Sequence, residues 1–331
     1  MKKIFNVVLA MVLVLTITIT TMTGCGSVKN SHLQSSSNED AKYQIVCTIF
    51  PIYDWVVNII GDNDNVNVTL LLDQGTDLHS FQPTAADIAL VSSADMFIYV
   101  GGESDAWVED AIGEAKNTNM KAISLMDVLS DSVVTEEVKE GMQESNSESE
   151  EEEEYDEHVW LSLKNAETIV EYLGYEISDM DSDNKTTYQE NAESYEIQLR
   201  ELDEQYQEMV DTASLNTLIF ADRFPFRYLV EDYGLDYYAA FSGCSAETEA
   251  SFETIIFLAG KVDEIGTNIV LTIENSDTSI ADTVIENTTN KTATTAVLNS
   301  MQSVTSGEVR TGTTYIGIMQ NNLVVLKDAL N

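Results

Sequence analysis

From residue 43 onward, short apolar runs rich in β-branched residues alternate with stretches whose apolar positions recur at helical spacing. The extended runs cover 44–49, 66–72, 95–100 and 121–125, and helical patterns between them cover 52–60, 84–93 and 106–115. The alternation returns at 217–221, 236–241, 268–273 and 294–298, with helices near 226–233, over 251–265, from 279 onward and over 313–330. Alternating strand and helix signals predict α/β structure with mostly parallel sheets flanked by helices. Because the series occurs twice, two such lobes are expected, over 43–184 and 213–331.

Between the two series, Tyr188, Ala192, Tyr195, Leu199, Leu202, Tyr206 and Met209 recur in alternating steps of four and three residues. That spacing marks one face of a helix over 185–212, reaching about 40 Å at 1.5 Å per residue. A run of about four heptads containing tyrosines is short for a coiled-coil seam, so the stripe is expected to pack along both lobes as one connecting helix. Residues 136–157 break the pattern. They form an acidic, serine-containing, low-complexity insertion with no apolar face.

A length of 331 residues suits about two domains, and 44% hydrophobic content supplies a core for each. The formal net charge of −41 at pH 7 argues against nucleic acid as a partner, since phosphates would be repelled, and suits cationic ligands. Three cysteines without Cys-x-x-Cys spacing leave little room for a disulfide scaffold or a thiolate zinc finger. At the N-terminus, Lys2 and Lys3 precede an apolar run over 4–19 that ends in Gly24-Cys25, the arrangement of an export signal. The run is short for a membrane span of ~20 residues and is diluted by Thr16, Thr18, Thr20 and Thr21. Met22-Thr23-Gly24-Cys25 resembles a bacterial lipobox, which implies a signal peptide over 1–24, a lipid on Cys25 and a flexible tether over 25–42.

Histidine is scarce, with only His32, His79 and His158 in the chain. His79 lies in a turn-rich loop over 73–83, and His158 follows the glutamate run. Two histidines on such loops invite a metal-site reading; the alternative is a pair of hydrogen-bonded loop histidines. In parallel α/β sheets ligands gather at the carboxyl ends of strands, where Asp222, Arg223, Cys244, Glu247, Glu274, Asn299 and Gln302 are expected in the second lobe. Neutral imidazoles with carboxylates suit zinc, manganese and related divalent ions. No Gly-x-Ser-x-Gly, His-Glu-x-x-His, Walker loop or Gly-x-Gly-x-x-Gly is present, so no catalytic motif competes with that reading. A metal-dependent hydrolase would need a third strong ligand and an open water position.

These residues resemble the solute-binding lipoproteins of zinc and manganese ABC importers, over about 45–330. Phe50-Pro-Ile-Tyr-Asp-Trp55 is similar to that family's opening motif. The segment 70–88, with His79, and the segment 158–166, with His158, are similar to its two metal-binding motifs. The resemblance implies a lipid-anchored, non-enzymatic, monomeric receptor at the outer face of the membrane. It would capture a divalent metal, zinc or alternatively manganese, between its lobes and pass the ion to a permease. The alternative is a lipid-anchored adhesin on the same scaffold. The family's remaining ligand positions fall on Arg223, which cannot bind a cation, and on the amides Asn299 or Gln302. Asp222, beside Arg223, is therefore the expected third ligand, ahead of Cys244 and Glu274.

Overall fold

The computed structural model describes residues 32–35, 41–143, 154–245 and 249–331. The expected signal peptide, Cys25, most of the tether, residues 144–153 of the acidic insertion and Glu247 lie outside them.

The first lobe carries a five-stranded sheet in the order β1-β3-β2-β4-β5, from β1 (Leu33–Gln34), β2 (Tyr43–Cys47), β3 (Val66–Leu70), β4 (Met96–Tyr99) and β5 (Lys121–Ser124). All its pairs are parallel except β1 with β3. Helices α1 (Phe50–Ile60), α2 (Ala85–Ser93), α3 (Trp107–Gly113) and α4 (Leu125–Leu129) lie between or after the strands. The central residues Ile45, Val46, Cys47, Phe97 and Ile98 are buried, as expected where both sheet faces are covered. A capping box, with Thr84 and Asp87 exchanging side-chain and backbone bonds, starts α2. β1 corrects the tether expectation for this short piece. Its Leu33 is buried, its amide donates to Asp73, and its imidazole neighbour His32 bonds Asp87 at 2.7 Å.

The second lobe has four parallel strands in the order β7-β6-β8-β9: β6 (Thr217–Phe224), β7 (Asp236–Ser242), β8 (Ile269–Thr272) and β9 (Thr294–Val297). β6 runs three residues beyond the expected end. Asp222 and Arg223 therefore sit within the strand, next to a register irregularity between Phe220 and Arg223, rather than in the loop after it.

Helix α5 (Leu163–Met180) was not anticipated as an element. It starts where the Ser162 hydroxyl accepts the Asn165 amide, directly after the His158 segment. Next comes α6 (Lys185–Thr212), whose seven-residue stripe is buried as the spacing predicts. Its face meets both lobes. Tyr195 donates to Asp54 on α1, and Tyr206 donates to the carbonyl of Met319 on α11 (Tyr315–Ala329). The intervening second-lobe helices are α7 (Arg227–Tyr233), α8 (Phe252–Ile265), α9 (Ser279–Asn287) and α10 (Ser306–Arg310).

The described ends of the acidic insertion are not a solvated tail. Residues 134–136 bond 154–156 through Glu136 N–H to the Glu154 carbonyl and Asp156 N–H to the Val134 carbonyl. Residues 133–143 then cross to the second lobe. Lys139 pairs with Asp236, and the Gln143 amide donates to Ala240 on the edge strand β7.

Candidate metal centre

His79 lies on a single 3-10 turn, Leu78–Ser80, after β3. The Asp77 carboxylate caps this turn by accepting the His79 amide at 2.9 Å. His158 lies just before a second 3-10 turn, Val159–Leu161, and is fully buried. Asp156 accepts both its backbone amide, at 2.8 Å, and its ring Nδ1–H, at 2.9 Å. A carboxylate only accepts, so Nδ1 of His158 carries a proton, and in the neutral ring Nε2 is then the side that can bind a metal.

The Nδ1 of His79 is likewise occupied, by the Ser104 hydroxyl at 2.8 Å. What remains are the two Nε2 atoms, which face each other 3.0 Å apart. A tetrahedral ion with metal–nitrogen bonds of about 2.0–2.1 Å holds its nitrogens roughly 3.3 Å apart, so little movement separates this pair from a chelating geometry. Imidazoles whose far nitrogens are tied to a carboxylate or hydroxyl are the usual supporting arrangement for metal-binding histidines.

The charges around the pair pull in opposite directions. Burial, and then the neighbouring His158, hold His79 down at about 4, so it is neutral at physiological pH. Burial opposes charge on His158 too, but the Asp156 carboxylate, with Glu157 and Asp77, raises that histidine above its ordinary value. Glu157 lies beside both. One of its oxygens accepts the Ser104 amide at 2.9 Å, and the other, buried and without a hydrogen-bond partner, is 3.7 Å from His79 Nδ1.

The second-lobe residues are placed less as expected. Asp222 is not brought to the histidines. Its two oxygens accept the amides of Arg223, at 2.8 Å, and Ile273, at 3.0 Å. Arg223 reaches across the lobes to Asp77, at 2.7 Å; burial works to raise the Asp77 carboxyl, but the Arg223 guanidinium together with His79 holds it below the usual carboxylate range. Glu274 is half-buried and accepts the amides of Ser300 and Gln302. Asn299 is engaged with Met301 and Asn322. Asp222, Arg223 and Glu274 line a cavity of about 660 Å³ with Asp77, while neither histidine lines it.

Among the described residues, Cys244 is the side chain that joins the pair: the ligand atoms of His79, His158 and Cys244 all lie within 4.8 Å of one another. It stands behind Asp222 among the expected strand-end residues, and it comes near the histidines where β7 ends. The two lobes thus carry a parallel-sheet architecture around a preformed pair of imidazoles, an arrangement recognisable in known proteins.

Residues 45–329 match the family described as zinc-uptake complex component A, periplasmic. The chain is 30% identical over 312 residues to the high-affinity zinc uptake system protein ZnuA of Bacillus subtilis, covering 93% of each. It is 31% identical over 291 residues to the zinc-binding lipoprotein AdcA of Streptococcus pneumoniae, covering 87% of this chain and 56% of that relative, so it spans about half the length of AdcA. The solved Zn(II)-bound ZnuA-like domain of S. pneumoniae AdcA superposes with a TM-score of 0.68 at 28% identity, over 87% of this chain and 98% of that one. With nearly the whole described chain matched, the protein belongs to the family of periplasmic zinc-uptake component A proteins.

Proposed function

We propose that this chain is the extracytoplasmic, non-enzymatic solute-binding component of a zinc ABC importer, with His79 and His158 as ligands to the transported ion. The observation that carries the reading is the pair of Nε2 atoms held 3.0 Å apart, with both Nδ1 atoms already engaged by Asp156 and Ser104. Two ring nitrogens held face to face favour capture of a metal ion over adhesion as the site's role. Two imidazoles favour zinc over manganese, whose preferred donors are oxygens. Zinc uptake or zinc binding in the names of ZnuA and AdcA supports the same cargo, and the lipoprotein name of AdcA supports Cys25 as a lipid anchor at the outer face of the membrane. The protein would act as a monomer that hands the ion to a membrane permease.

Competition titration of the full chain with a chromophoric chelator tests this. His79→Ala and His158→Ala should each lower zinc affinity at least about 100-fold, more than the 10- to 100-fold typical of losing a supporting residue. Protein that elutes metal-free and shows no zinc affinity would sink the reading.

A further inference from the structure

We propose that Cys244 supplies a third donor to the cleft site, making it a two-imidazole, one-thiolate site that selects thiophilic divalent ions, zinc and cadmium, and rejects manganese. This inference rests on the histidine pair of the proposed function and adds to it the ligand from the opposite lobe.

The cysteine loop is built against the histidines. Cys244 follows the carboxyl end of β7, and its backbone amide donates to the Glu136 carboxylate of the crossing segment at 2.8 Å. Gly243, one residue earlier, lies close against the His158 ring. A Cβ there would sit 3.1 and 3.2 Å from two ring atoms and 2.9 Å from the Phe224 carbonyl. Any side chain at 243 would push the loop away, so glycine is what permits the sulfur to approach. The thiol forms no disulfide.

Among the described residues, the carboxylates expected at the other second-lobe strand ends are engaged elsewhere, and the arginine beside them is not a cation ligand. Both Asp222 oxygens hold backbone amides, Arg223 is paired with Asp77, and Glu274 serves Ser300 and Gln302. An independent feature also points to a cation. The second oxygen of Glu157 is buried and without a hydrogen-bond partner beside His79, a carboxylate whose charge a bound divalent ion would offset. Metal–sulfur bonds near 2.3 Å and metal–nitrogen bonds near 2.0 Å place sulfur and nitrogen roughly 3.6 Å apart, so the present spread within 4.8 Å needs about 1 Å of closure. Thiolate is a soft donor, which favours zinc and cadmium and works against manganese. On binding, the thiol proton passes to solvent as the metal–sulfur bond forms.

The test loads the full chain with Co²⁺ and titrates it separately with Zn²⁺, Cd²⁺ and Mn²⁺. The parent should show a near-ultraviolet sulfur-to-cobalt charge-transfer band. Cys244→Ser and Cys244→Ala should abolish it, lower zinc affinity at least about 100-fold, and lower cadmium affinity more than zinc affinity. Thermal melts of the metal-free variants check that the fold is kept. If both variants bind zinc and cadmium like the parent while His79→Ala and His158→Ala do not, the thiolate is excluded and the histidine site stands. If the histidine variants also match the parent, the proposed function itself fails.

Discussion

The two lobes equip the same cleft by different means. In the first lobe each imidazole is oriented by groups from its own lobe, His158 by Asp156 two residues away and His79 by Asp77 and Ser104. In the second lobe the residues nearest the cleft are held by partners across it, Arg223 by Asp77 and the Cys244 amide by Glu136. A ligand whose orientation is settled locally travels with a short motif. One that depends on the opposite lobe is free to change identity, provided that another donor reaches the same point in space.

Four measurements sharpen or break this contrast, beginning with the largest expected effect. Asp156→Asn keeps the volume but removes the charge behind His158, and it should cost 10- to 100-fold in zinc affinity, read by chelator competition. Parental affinity would mean that the first lobe does not depend on its local support.

The next concerns the place where the lobes share an anchor. Asp54 accepts Tyr195 of the long helix and the Tyr315 amide of the last helix, and burial raises its carboxyl from 3.8 to about 6. An acid whose folded value lies above its unfolded value favours folding most in its protonated form. That contribution is therefore full below about pH 4 and falls as pH rises through 4 to 6, leaving about 3 kcal/mol of cost at neutral pH. Asp54→Asn should flatten this part of the pH–stability curve in chemical denaturation. A slope identical to the parent's would show that Asp54 titrates normally.

Asp222→Ala should destabilise the fold by about 1–3 kcal/mol, because the Arg223 and Ile273 amides lose their acceptor. Zinc affinity should stay within about twofold of the parent, well under the ~1.4 kcal/mol of a tenfold change. A tenfold loss in a variant that remains folded would return Asp222 to the ligand shell. Arg223→Ala is the mildest. It removes a partly exposed ion pair to the residue that caps His79, so zinc affinity should fall by roughly threefold, under about 1 kcal/mol. A much larger loss would mean that the second lobe, too, positions His79 directly.

Much of this was legible in the chain. The buried stripe from Tyr188 to Met209 followed from residue spacing alone, as did the alternating elements of both lobes. His79 and His158 were legible because each sits in a specific local motif. Helix α5 was overlooked although Ser162 caps it, and β1 was hidden in a polar segment because only Leu33 of its pair is buried. The acidic insertion misled most, since Asp156 and Glu157 read as part of a solvated run. Tertiary packing buries both and gives them the histidines and Ser104 as neighbours.

By itself, then, the amino-acid order determined the two α/β lobes, the long helix and the two imidazoles, because periodicity and short motifs are properties of neighbouring residues. Only the folded chain decided that Asp222 serves backbone amides, that Arg223 closes on Asp77, and that Cys244 arrives beside the histidines. The reason is geometric. Adjacency to an expected ligand position says nothing of which hydrogen-bonding groups a carboxylate will meet, whereas a cysteine distant in sequence is brought to His158 by the end of β7, the bare backbone of Gly243 and the grip of Glu136.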